Sequence, residues 1–534
     1  MSPLPYSPGR PPAERIGVRI TESALPRHAP LDLYAELSRE LGPDEVYLME
    51  SLDETGRQRG PAVVGYGRVA EIRVHPRHVE IEGPEALLPW LAGCAEAAGL
   101  TLVFDVERGT EGAARWRIGG PEQVWELLER VRLLFHPVTG PPATGYLFGF
   151  LTTIGYEAAW HMEELPARGS RPDLPDLILT LFRDTVRYDP AGSAPRLRSA
   201  DPLRADGPPD RDGPTGLFGS RPDLDPMALA HRAAATPAVD VPTAPRPTSV
   251  RDSVTREEFL GWSRRCLEHI RVGDIYQIQI GHRVDVRTEA RPLEVYRRLR
   301  GRNPSPHMYL LPRAGGLLIG ASPELFFRTE GGEITMRPIA GTTRRGADPQ
   351  ENERRIKEMR ASSKEQAEHI MLVDLCRNDI GRVCRPGTLP VDRLMAVETF
   401  SHVFHLVSTV TGGLETGVTV WDAVRATFPA GTMSGAPKIR AMEIIAGLER
   451  EPRGSYAGAV GLVDVRGWSE FALCIRTISF DGGTYSTQSS AGIVAESRPE
   501  AEWDETLAKM AAAHWALTGR DSVEETDGNG ELTA

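Results

Sequence analysis

The stretch GAVGLVDVRGWSEFALCIRTISFDGGTYSTQSSAGIV, residues 458–494, decides the fold class of this chain. Its apolar runs are separated by two short turns, Arg466-Gly467 and Asp481-Gly482-Gly483. Turns this short join antiparallel strands, because a parallel connection needs a crossover of a dozen or more residues. The stretch therefore predicts a meander with strands at about 458–465, 470–480 and 484–494.

The sequence around the meander alternates further strand and helix signals. Residues 315–339 predict a hairpin with Gly331-Gly332 at its turn. Residues 256–273 predict a helix that Ser253 or Thr255 caps, and a second helix at 499–518 closes the region. There is no G-x-G-x-x-G after a strand and no P-loop, which disfavours standard nucleotide-binding folds. The prediction is an α+β fold around antiparallel sheets.

Composition divides the chain into two folded regions, at about 13–188 and 252–517. Between them, residues 189–250 are dense in Pro, Gly and Asp and predict a linker or a long ordered excursion. The acidic, turn-rich residues 518–534 predict a disordered tail.

The overall composition excludes several classes of function. With 62 basic and 74 acidic residues among 534, the net charge is −12, which disfavours non-specific nucleic-acid binding. The N-terminal 20 residues lack the apolar core of a secretion signal, and no apolar run reaches the roughly 20 residues that span a bilayer. The five cysteines form no C-x-x-C pair and indicate neither a disulfide framework nor a zinc site. We expect a cytoplasmic protein that does not bind membranes.

Two pairs of glutamates could hold a metal ion. Glu365 with Glu368, and Glu502 with Glu505, each stand three residues apart on a predicted helix, so both carboxylates of a pair share one face. Oxygen ligands from two helices suit Mg²⁺. A solvated helix face is the alternative for either pair.

Three other features could bind or transform a ligand. The loop TFPAGTMSGAPKIR (427–440) runs into a helix, where free N–H groups and Lys438 would suit an anion; an ordinary capped helix start is the alternative. Arg476 lies in an apolar strand pattern and needs an anionic partner, either a ligand or a structural carboxylate. His405 fits a hydrogen-bonded core residue or a catalyst.

Region 252–517 resembles the chorismate-utilising enzymes, most closely anthranilate synthase component I. The matching strings occur in family order: GDIYQIQ (273–279), NPSPHMY (303–309), IGASPELF (319–326), RPIAGT (337–342), AEHIMLVDLCRNDIGRV (367–383), FSHVFHLVS (400–408), TFPAGTMSGAPKIRAMEII (427–445) and RGSYAGAVG (453–461). The N-terminal region is more weakly similar, through YLMES (47–51) and GFLTTIGYE (149–157).

The resemblance implies a large two-layer αβ sandwich around antiparallel sheets, with the active site in the central cleft. It implies that the four glutamates surround Mg²⁺, which docks the ring carboxylate of chorismate. It also implies a general acid, Glu324, that assists departure of the C4 hydroxyl, and a residue near the ring, His405, that serves pyruvate elimination. The other positions expected in this pocket are Tyr456, Arg476 and the backbone at Ala491-Gly492 for the enolpyruvyl carboxylate, with Thr432, Lys438, Ala340, Gly341 and Thr342 lining the same pocket.

Two residues indicate which reaction this chain performs. Relatives that add water at C2 resemble one another in carrying a lysine where this chain has Gln277, and a glutamine cannot deprotonate water, whereas neutral ammonia is already a nucleophile. Aminodeoxychorismate synthases commonly carry a lysine where this chain has Ala340, which offers no nucleophile. We therefore expect a lyase that aminates chorismate at C2 and then eliminates pyruvate to give anthranilate.

Several alternatives stay open. The family usually shows QAGAG where this chain has Gln488–Gly492 with Ser490, a change that could alter the product released. The rivals are a 2-amino-2-deoxyisochorismate synthase without the elimination step, a 4-amino-4-deoxychorismate synthase component I, and an inactive paralogue that binds the amidotransferase. Tryptophan biosynthesis and a specialised, secondary pathway both fit these departures.

The resemblance also implies partners and a regulatory site. No cysteine of this chain lies in a G-x-C-x-G context, so ammonia would come from solution or from a separate glutamine amidotransferase subunit. A homo-oligomer and a heterotetramer are both compatible with the sequence. A tryptophan feedback site is expected at Glu50 and Ser51 together with Pro306, His307 and Met308.

Overall fold

The structure of this chain is a computed structural model. It describes residues 14–53, 55–103, 113–141, 144–166, 174–203, 216–237, 241, 243–346, 348–400 and 403–521. Most of the tail predicted at 518–534 lies outside the described residues. Among the described helices, none combines the length and apolar character needed to cross a bilayer.

The described strands all belong to one sheet in which every pairing is antiparallel except that of β1 with β7. They are β1 (Ile16–Ala24), β2 (Val46–Glu50), β3 (Ala62–Val74), β4 (His78–Glu82), β5 (Thr101–Val103), β6 (Ala113–Arg117), β7 (Phe135–Thr139), β8 (Gly149–Ile154), β9 (Leu177–Tyr188), β10 (Arg196–Pro202), β11 (Ser249–Asp252), β12 (Gln277–Arg287), β13 (His307–Arg313), β14 (Gly316–Ser322), β15 (Leu325–Glu330), β16 (Glu333–Met336), β17 (Ile339–Arg344), β18 (Val391–Thr399), β19 (Val403–Gly413), β20 (Gly435–Ala436), β21 (Ala459–Asp464), β22 (Ser469–Leu473), β23 (Thr477–Phe480) and β24 (Tyr485–Ile493).

The α-helices begin where the sequence supplies a cap or a proline. Thr255 caps the helix that starts at Arg256 through a capping box with Glu258, which confirms the prediction for this segment. The described helices are α1 (Pro30–Leu41), α2 (Leu88–Ala97), α3 (Glu122–Leu134), α4 (Pro226–Ala235), α5 (Arg256–Arg271), α6 (Pro292–Arg302), α7 (Pro349–Ala361), α8 (Ser363–Gly381), α9 (Val420–Thr427), α10 (Lys438–Leu448) and α11 (Pro499–Thr518).

The sheet folds into two layers that meet at its two longest neighbouring strands, β3 and β9. Layer one follows the order β11-β12-β24-β23-β14-β13-β2 and joins β3. Layer two follows β19-β16-β15-β22-β21-β8 and joins β9. β3 pairs with β9 from Ala62 to Val74, so the two layers are parts of one continuous hydrogen-bonded sheet.

Apolar side chains pack between the layers and on both outer faces. One buried cluster takes residues from both layers, including Tyr309 and Leu318 of layer one and Leu462 and Ala472 of layer two. The outer face of layer one packs against α1, α4, α6 and α11, and that of layer two packs against α8 and α9. The resulting helix–sheet–sheet–helix arrangement confirms the predicted α+β sandwich around antiparallel sheets.

The two regions predicted from composition share this sheet. β2 pairs with β13, and β8 pairs with β21, so the N-terminal strands complete both layers. Within 189–250, β10 pairs with β1 and β9, and α4 packs against α1. The described part of this segment therefore belongs to the fold rather than separating two bodies.

The meander prediction is wrong in its middle strand. Residues 470–480 form two strands, β22 and β23, with Arg476 between them at a φ of 52°. β22 pairs with β21 and β15 in layer two, whereas β23 pairs with β14 and β24 in layer one. The left-handed backbone at Arg476 lets the chain cross between layers, which no periodicity of apolar residues reveals.

Candidate functional site

The described residues enclose a large cavity of about 1050 Å³ between the two layers. β12, β24 and α11 form one wall, and β17, β19 and α8 form the other. Most of the residues predicted for the site line this cavity: Gln277, Glu324, Ala340, Gly341, Thr342, Glu365, Glu368, His405, Thr432, Tyr456, Arg476, Gly492, Glu502 and Glu505. The central cleft expected from the sequence is therefore present.

The four glutamates come from two helices on opposite walls. On α8, the Ser362 side chain accepts a hydrogen bond from the Glu365 backbone N–H, and this cap places Glu365 and Glu368 in the first two turns. On α11, Glu505 forms an ion pair of 2.6 Å with Lys509. Within the described part of the chain, no three of the four carboxylates bring ligand atoms within 4.8 Å of one another.

This donor set fits Mg²⁺. Carboxylate oxygens are its preferred protein ligands, and the ion usually takes one or two of them while keeping water and binding an anionic substrate. The four glutamates that line one cavity could therefore hold this ion together with water. The cavity wall also supplies positive charge from Lys509 and Arg476, so it is not simply a repulsive acidic surface.

Glu324 occupies the bend between β14 and β15 and is only 9% exposed. Burial raises its pKa to about 8, against smaller lowering effects of the Thr432 hydroxyl and of Lys509. Thr432 Oγ1 donates to Glu324 Oε1 at 3.3 Å. The carboxyl group is therefore mostly protonated near neutral pH and can act as a proton donor.

Arg476 lies where the chain crosses between layers. Burial lowers its pKa, while the nearby Tyr456 and Glu505 act in the opposite direction. No carboxylate of the described residues lies within 4 Å of its guanidinium nitrogens. A cation in such surroundings is costly without an anion, which leaves it available for a ligand carboxylate.

Ser490 connects three polar residues of the cavity wall. Its hydroxyl accepts a hydrogen bond of 2.7 Å from Tyr456 and donates one of 2.8 Å to Gln279 Oε1. Lys509 Nζ donates to the Ser490 carbonyl at 2.9 Å. The serine that departs from the family pattern thus fixes the orientation of Tyr456 and of Gln279.

Gln277 presents an acceptor that the rest of the described chain leaves unused. Its Oε1 is buried and has no hydrogen-bond partner among the described residues, and the side chain lines the cavity. A Cβ on Gly492 would lie 2.8 Å from Gln279 Nε2 and 3.3 Å from Gln277 Nε2, so the two amides need a glycine there. A buried free acceptor of this kind favours a ligand that carries N–H groups.

His405 faces the cavity from β19 and contacts the loop-like bulge of β17. Its Nδ1 lies 2.9 Å from Thr342 Oγ1 and 3.4 Å from the Gly341 carbonyl. Gly341 has a φ of 81°, and a Cβ there would lie 2.9 Å from Leu406, so only glycine fits. Burial lowers the pKa of His405 to about 4, with a contribution from Arg476, so the imidazole is neutral near pH 7.

Two predicted residues do not line the cavity. Lys438 Nζ donates to both carboxylate oxygens of Asp379 at 3.0 Å and to the Thr427 carbonyl at 3.0 Å. The charge of Lys438 is therefore neutralised by the buried Asp379 rather than by a ligand in the cavity. Ala491 is fully buried against α5 and α10, and its neighbours Ser490 and Gly492 face the cavity instead.

The two halves of the predicted tryptophan site meet, because Met308 of β13 pairs with Glu50 of β2. The Glu50 carboxylate is already occupied: it accepts from Tyr296 at 2.6 Å and from Arg300 Nε at 2.7 Å. His307 is half-buried, and desolvation lowers its pKa. Glu50, Ser51, Pro306, His307 and Met308 do not line the large cavity, which reaches only as far as Ser305.

Sequence reasoning missed several cavity residues, and two of them, Lys509 and Gln279, have a signal in the sequence. Lys509 stands four residues after Glu505 on α11, a spacing that predicts an ion pair on one helix face. Gln279 stands two residues after Gln277 on β12, and alternation along a strand places both on the same side. Both signals were therefore present in the sequence.

Known proteins resemble this chain over most of its length. The family pattern described as chorismate binding enzyme matches residues 98–514. The 2-amino-4-deoxychorismate synthase of Streptomyces globisporus is 46% identical over 509 residues, which cover 95% of this chain and 98% of that protein. Anthranilate synthase component 1 of Streptomyces coelicolor is 46% identical over 392 residues, or 70% of this chain and 73% of that protein.

A solved structure agrees with the fold. The crystal structure of anthranilate synthase component I from Streptococcus pneumoniae superposes with a TM-score of 0.64 at 26% identity, covering 85% of this chain and 92% of that one. The sequence match and the shared fold, together with a cavity lined by the residues that the family motifs carry, lead to one conclusion. This chain belongs to the family of chorismate-binding enzymes.

Proposed function

We propose that this chain aminates chorismate at C2 with ammonia and releases 2-amino-4-deoxychorismate. This compound is the 2-amino-2-deoxyisochorismate considered above, because an amine at C2 and no oxygen at C4 describe the same ring. The observation that carries the proposal is the relative with that name, which matches 95% of this chain and 98% of its own length. The alternative weighed from the sequence is thus better supported than anthranilate.

The binding step rests on the positive and hydrogen-bonding groups of the cavity. Arg476 lacks a carboxylate partner within ion-pairing distance among the described residues, and Tyr456 stands beside it. These two side chains would hold the enolpyruvyl carboxylate, with the backbone at Gly492 nearby. A fixed cation in a partly dehydrated cleft binds a carboxylate more strongly than the same cation does in water.

Glu324 would supply the proton for the leaving group. The nitrogen of ammonia forms a bond to C2, the two ring double bonds move to C1=C6 and C4=C5, and the C4–O bond breaks as the hydroxyl leaves as water. Glu324 donates the proton that the leaving hydroxyl needs, and the new ammonium group releases one proton, which restores the acid. A pKa of about 8 keeps this carboxyl group mostly protonated near neutral pH.

Gln277 would orient the nucleophile. Its buried Oε1 has no hydrogen-bond partner among the described residues and can accept an N–H of ammonia. An amide cannot remove a proton from water, so this position supports amination over hydration. Ala340 contributes only a methyl group, which supports direct attack at C2 over the covalent route to a 4-amino product.

Ammonia would come from a separate glutamine amidotransferase. All five cysteines are buried and unlinked. Burial raises the pKa of the Cys94 and Cys384 thiols to about 11 and that of Cys266 and Cys474 to about 12, and it also raises the pKa of Cys376. None of these thiols has the thiolate character that glutamine hydrolysis requires.

Mg²⁺ would be held by Glu365, Glu368, Glu502 and Glu505. When bound, it neutralises the ring carboxylate of chorismate and orients the ring. We expect Glu505→Gln to abolish turnover, because it replaces an anionic carboxylate ligand by a neutral amide and leaves Lys509 without its ion pair. The control Glu500→Gln changes an exposed glutamate of the same helix, and full activity of the Glu505 variant would remove it from the metal role.

Anthranilate is the second candidate product. His405 lines the cavity and is neutral near pH 7, so it could assist pyruvate elimination, and relatives named anthranilate synthase match 70% of this chain. Ser490 favours the first candidate, because a serine stands where the family usually has a glycine and its hydroxyl holds Tyr456 and Gln279 in fixed positions in the cavity wall.

One assay separates these outcomes. The purified chain is incubated with chorismate, Mg²⁺ and an ammonium salt at mildly alkaline pH, and products are identified by mass, fluorescence and nuclear magnetic resonance. A C2-aminated product that retains the enolpyruvyl group supports the proposal, whereas anthranilate with pyruvate supports the second candidate. Amination at C4, or no turnover even with an amidotransferase, would overturn it.

A further inference from the structure

The hairpin formed by β3 and β4 carries two histidines and a glutamate on one face. His75 follows the last residue of β3, His78 opens β4, and Glu80 stands two residues later. The backbone N–H of His75 donates a hydrogen bond of 2.8 Å to the backbone carbonyl of His78 and closes the turn. Val74 and Val79 point into the core on the other face. Alternation along the strands therefore gathers the three polar side chains on one side.

The three side chains lie at distances typical of a metal site. The imidazole rings of His75 and His78 are stacked, with centroids 4.4 Å apart and planes 6° apart, so one ring must turn about its side-chain bonds for both nitrogen lone pairs to face one ion. Their Nε2 atoms lie 3.6 Å and 3.4 Å, respectively, from the two carboxylate oxygens of Glu80. One ligand atom from each residue lies within 4.8 Å of the others, which holds for no other such group among the described residues.

These separations are too long for good hydrogen bonds and fit shared coordination. Hydrogen bonds from nitrogen to oxygen cluster at about 2.7–3.2 Å. Two ligands that each lie about 2.1 Å from a tetrahedral zinc ion are about 3.4 Å apart. His78 Nε2 is buried and makes no hydrogen bond among the described residues, so it is available as a ligand atom.

The surroundings of Glu80 fix the orientation of its carboxylate. Arg115 on the neighbouring strand β6 donates to Glu80 Oε1 at 2.7 Å. Arg73 approaches Oε2 to 3.9 Å, and its charge is offset by contacts with Glu71 and Glu82. A partner that fixes a ligating carboxylate is a usual part of metal sites.

We propose that this hairpin binds one Zn²⁺ ion through His75, His78 and Glu80, with water or an external ligand in the fourth position. Two imidazoles with one carboxylate select zinc over magnesium. None of the three residues lines the large cavity, so the site is separate from the one that would bind Mg²⁺. The bound ion ties the turn to β4 and stabilises the N-terminal region.

The test uses the full chain, stripped of metal with a chelator and then kept in excess Mg²⁺. Co²⁺ serves as the spectroscopic probe, because four-coordinate cobalt gives an intense visible absorption band. We expect one equivalent of Co²⁺ to produce this band, Zn²⁺ to displace it, and Zn²⁺ to raise the melting temperature. His78→Ala should weaken binding at least about tenfold, whereas His136→Ala, which removes an exposed histidine of β7, should leave it unchanged.

Two results would overturn the proposal. One is an unchanged cobalt band, at the same stoichiometry, in His78→Ala and in Glu80→Gln. The other is the absence of Co²⁺ and Zn²⁺ binding at micromolar metal in the unaltered chain. Glu80→Gln retains the shape of the side chain, so it provides the comparison if circular dichroism shows that His78→Ala is misfolded.

Discussion

Two buried glutamates at strand ends, Glu324 in the cavity and Glu50 at the junction of β2 and β13, have opposite surroundings. Glu50 accepts hydrogen bonds from Tyr296 and from two nitrogens of Arg300. Glu324 accepts one hydrogen bond, of 3.3 Å, from Thr432. The same residue type is therefore an anchored anion at one site and a neutral acid at the other, because a paired cation compensates burial only at Glu50.

The arginines show the same contrast. Arg300 pairs with Glu50, and Arg453 pairs with Glu449 at 2.6 Å, while Arg476 has no carboxylate within ion-pairing distance among the described residues. Arg453 also donates to the carbonyls of Met433 and Gln279, which ties two cavity segments together. The arginines that hold the fold are paired with carboxylates of the chain, whereas Arg476 in the cavity is left for a ligand.

Among the proposed substitutions, Glu324→Gln should cause the largest loss of activity. The amide cannot donate the proton that the leaving hydroxyl needs, so kcat should fall about 10²- to 10⁴-fold in the amination assay. In the unaltered chain, the rate should fall as the pH rises past about 8, because the acid loses its proton. Glu333→Gln, an exposed control, should retain activity, and a loss below tenfold in Glu324→Gln would argue against the assignment.

Arg476→Ala should have the second largest effect, and this effect should fall mainly on chorismate binding. Removing a buried cation that holds a substrate carboxylate should raise KM about 30-fold or more, with a smaller change in kcat. Steady-state kinetics with chorismate measure both. Arg328→Ala removes an arginine that is paired with Glu470 outside the cavity, and equal kinetics for the two variants would return Arg476 to a structural role.

Glu50→Gln should affect stability. It weakens charged hydrogen bonds to Arg300, and we expect the free energy of unfolding to fall by about 1.5–3 kcal/mol in urea denaturation. Unlike Glu50→Gln, the Glu324→Gln substitution should not lower the free energy of unfolding at alkaline pH. The pKa of Glu324 is raised in the fold, so its stabilising contribution is lost as the pH rises from about 4.5 through about 8. Above pH 8 the Glu324 variant should be at least as stable as the unaltered chain.

Ser490→Gly should give the smallest effect. It removes the hydroxyl that joins Tyr456 to Gln279, and one neutral hydrogen bond corresponds to about a 2- to 10-fold change. We expect the ratio of anthranilate to aminated product to rise by this factor in the product assay. Ser486→Gly, on the same strand but outside the cavity, is the control, and an identical product ratio in both variants would exclude Ser490 as a determinant.

Much of the fold and of the cavity could be predicted from local sequence. The cap at Thr255, the turn at Gly331-Gly332 and the helix at 499–518 are encoded by neighbouring residues, and the structure confirms them. The family motifs marked most residues that line the cavity. Lys438 was placed wrongly among them, because its partner Asp379 lies 59 residues away and is brought close only by packing of α8 against the loop before α10.

The sequence by itself determined the antiparallel fold class, the helix that carries each pair of glutamates, and the amide at Gln277, because these depend on short-range periodicity and on residue chemistry. Tertiary structure decided that β22 and β23 lie in different layers and that Glu324 is neutral while Glu50 is paired. It also decided that Arg476 lines a cavity in which no carboxylate of the described residues is within ion-pairing distance. Burial and ion pairing depend on contacts between segments that are distant in the sequence. Because these contacts shift the pKa of a side chain away from the usual value of its residue type, the sequence alone does not reveal it.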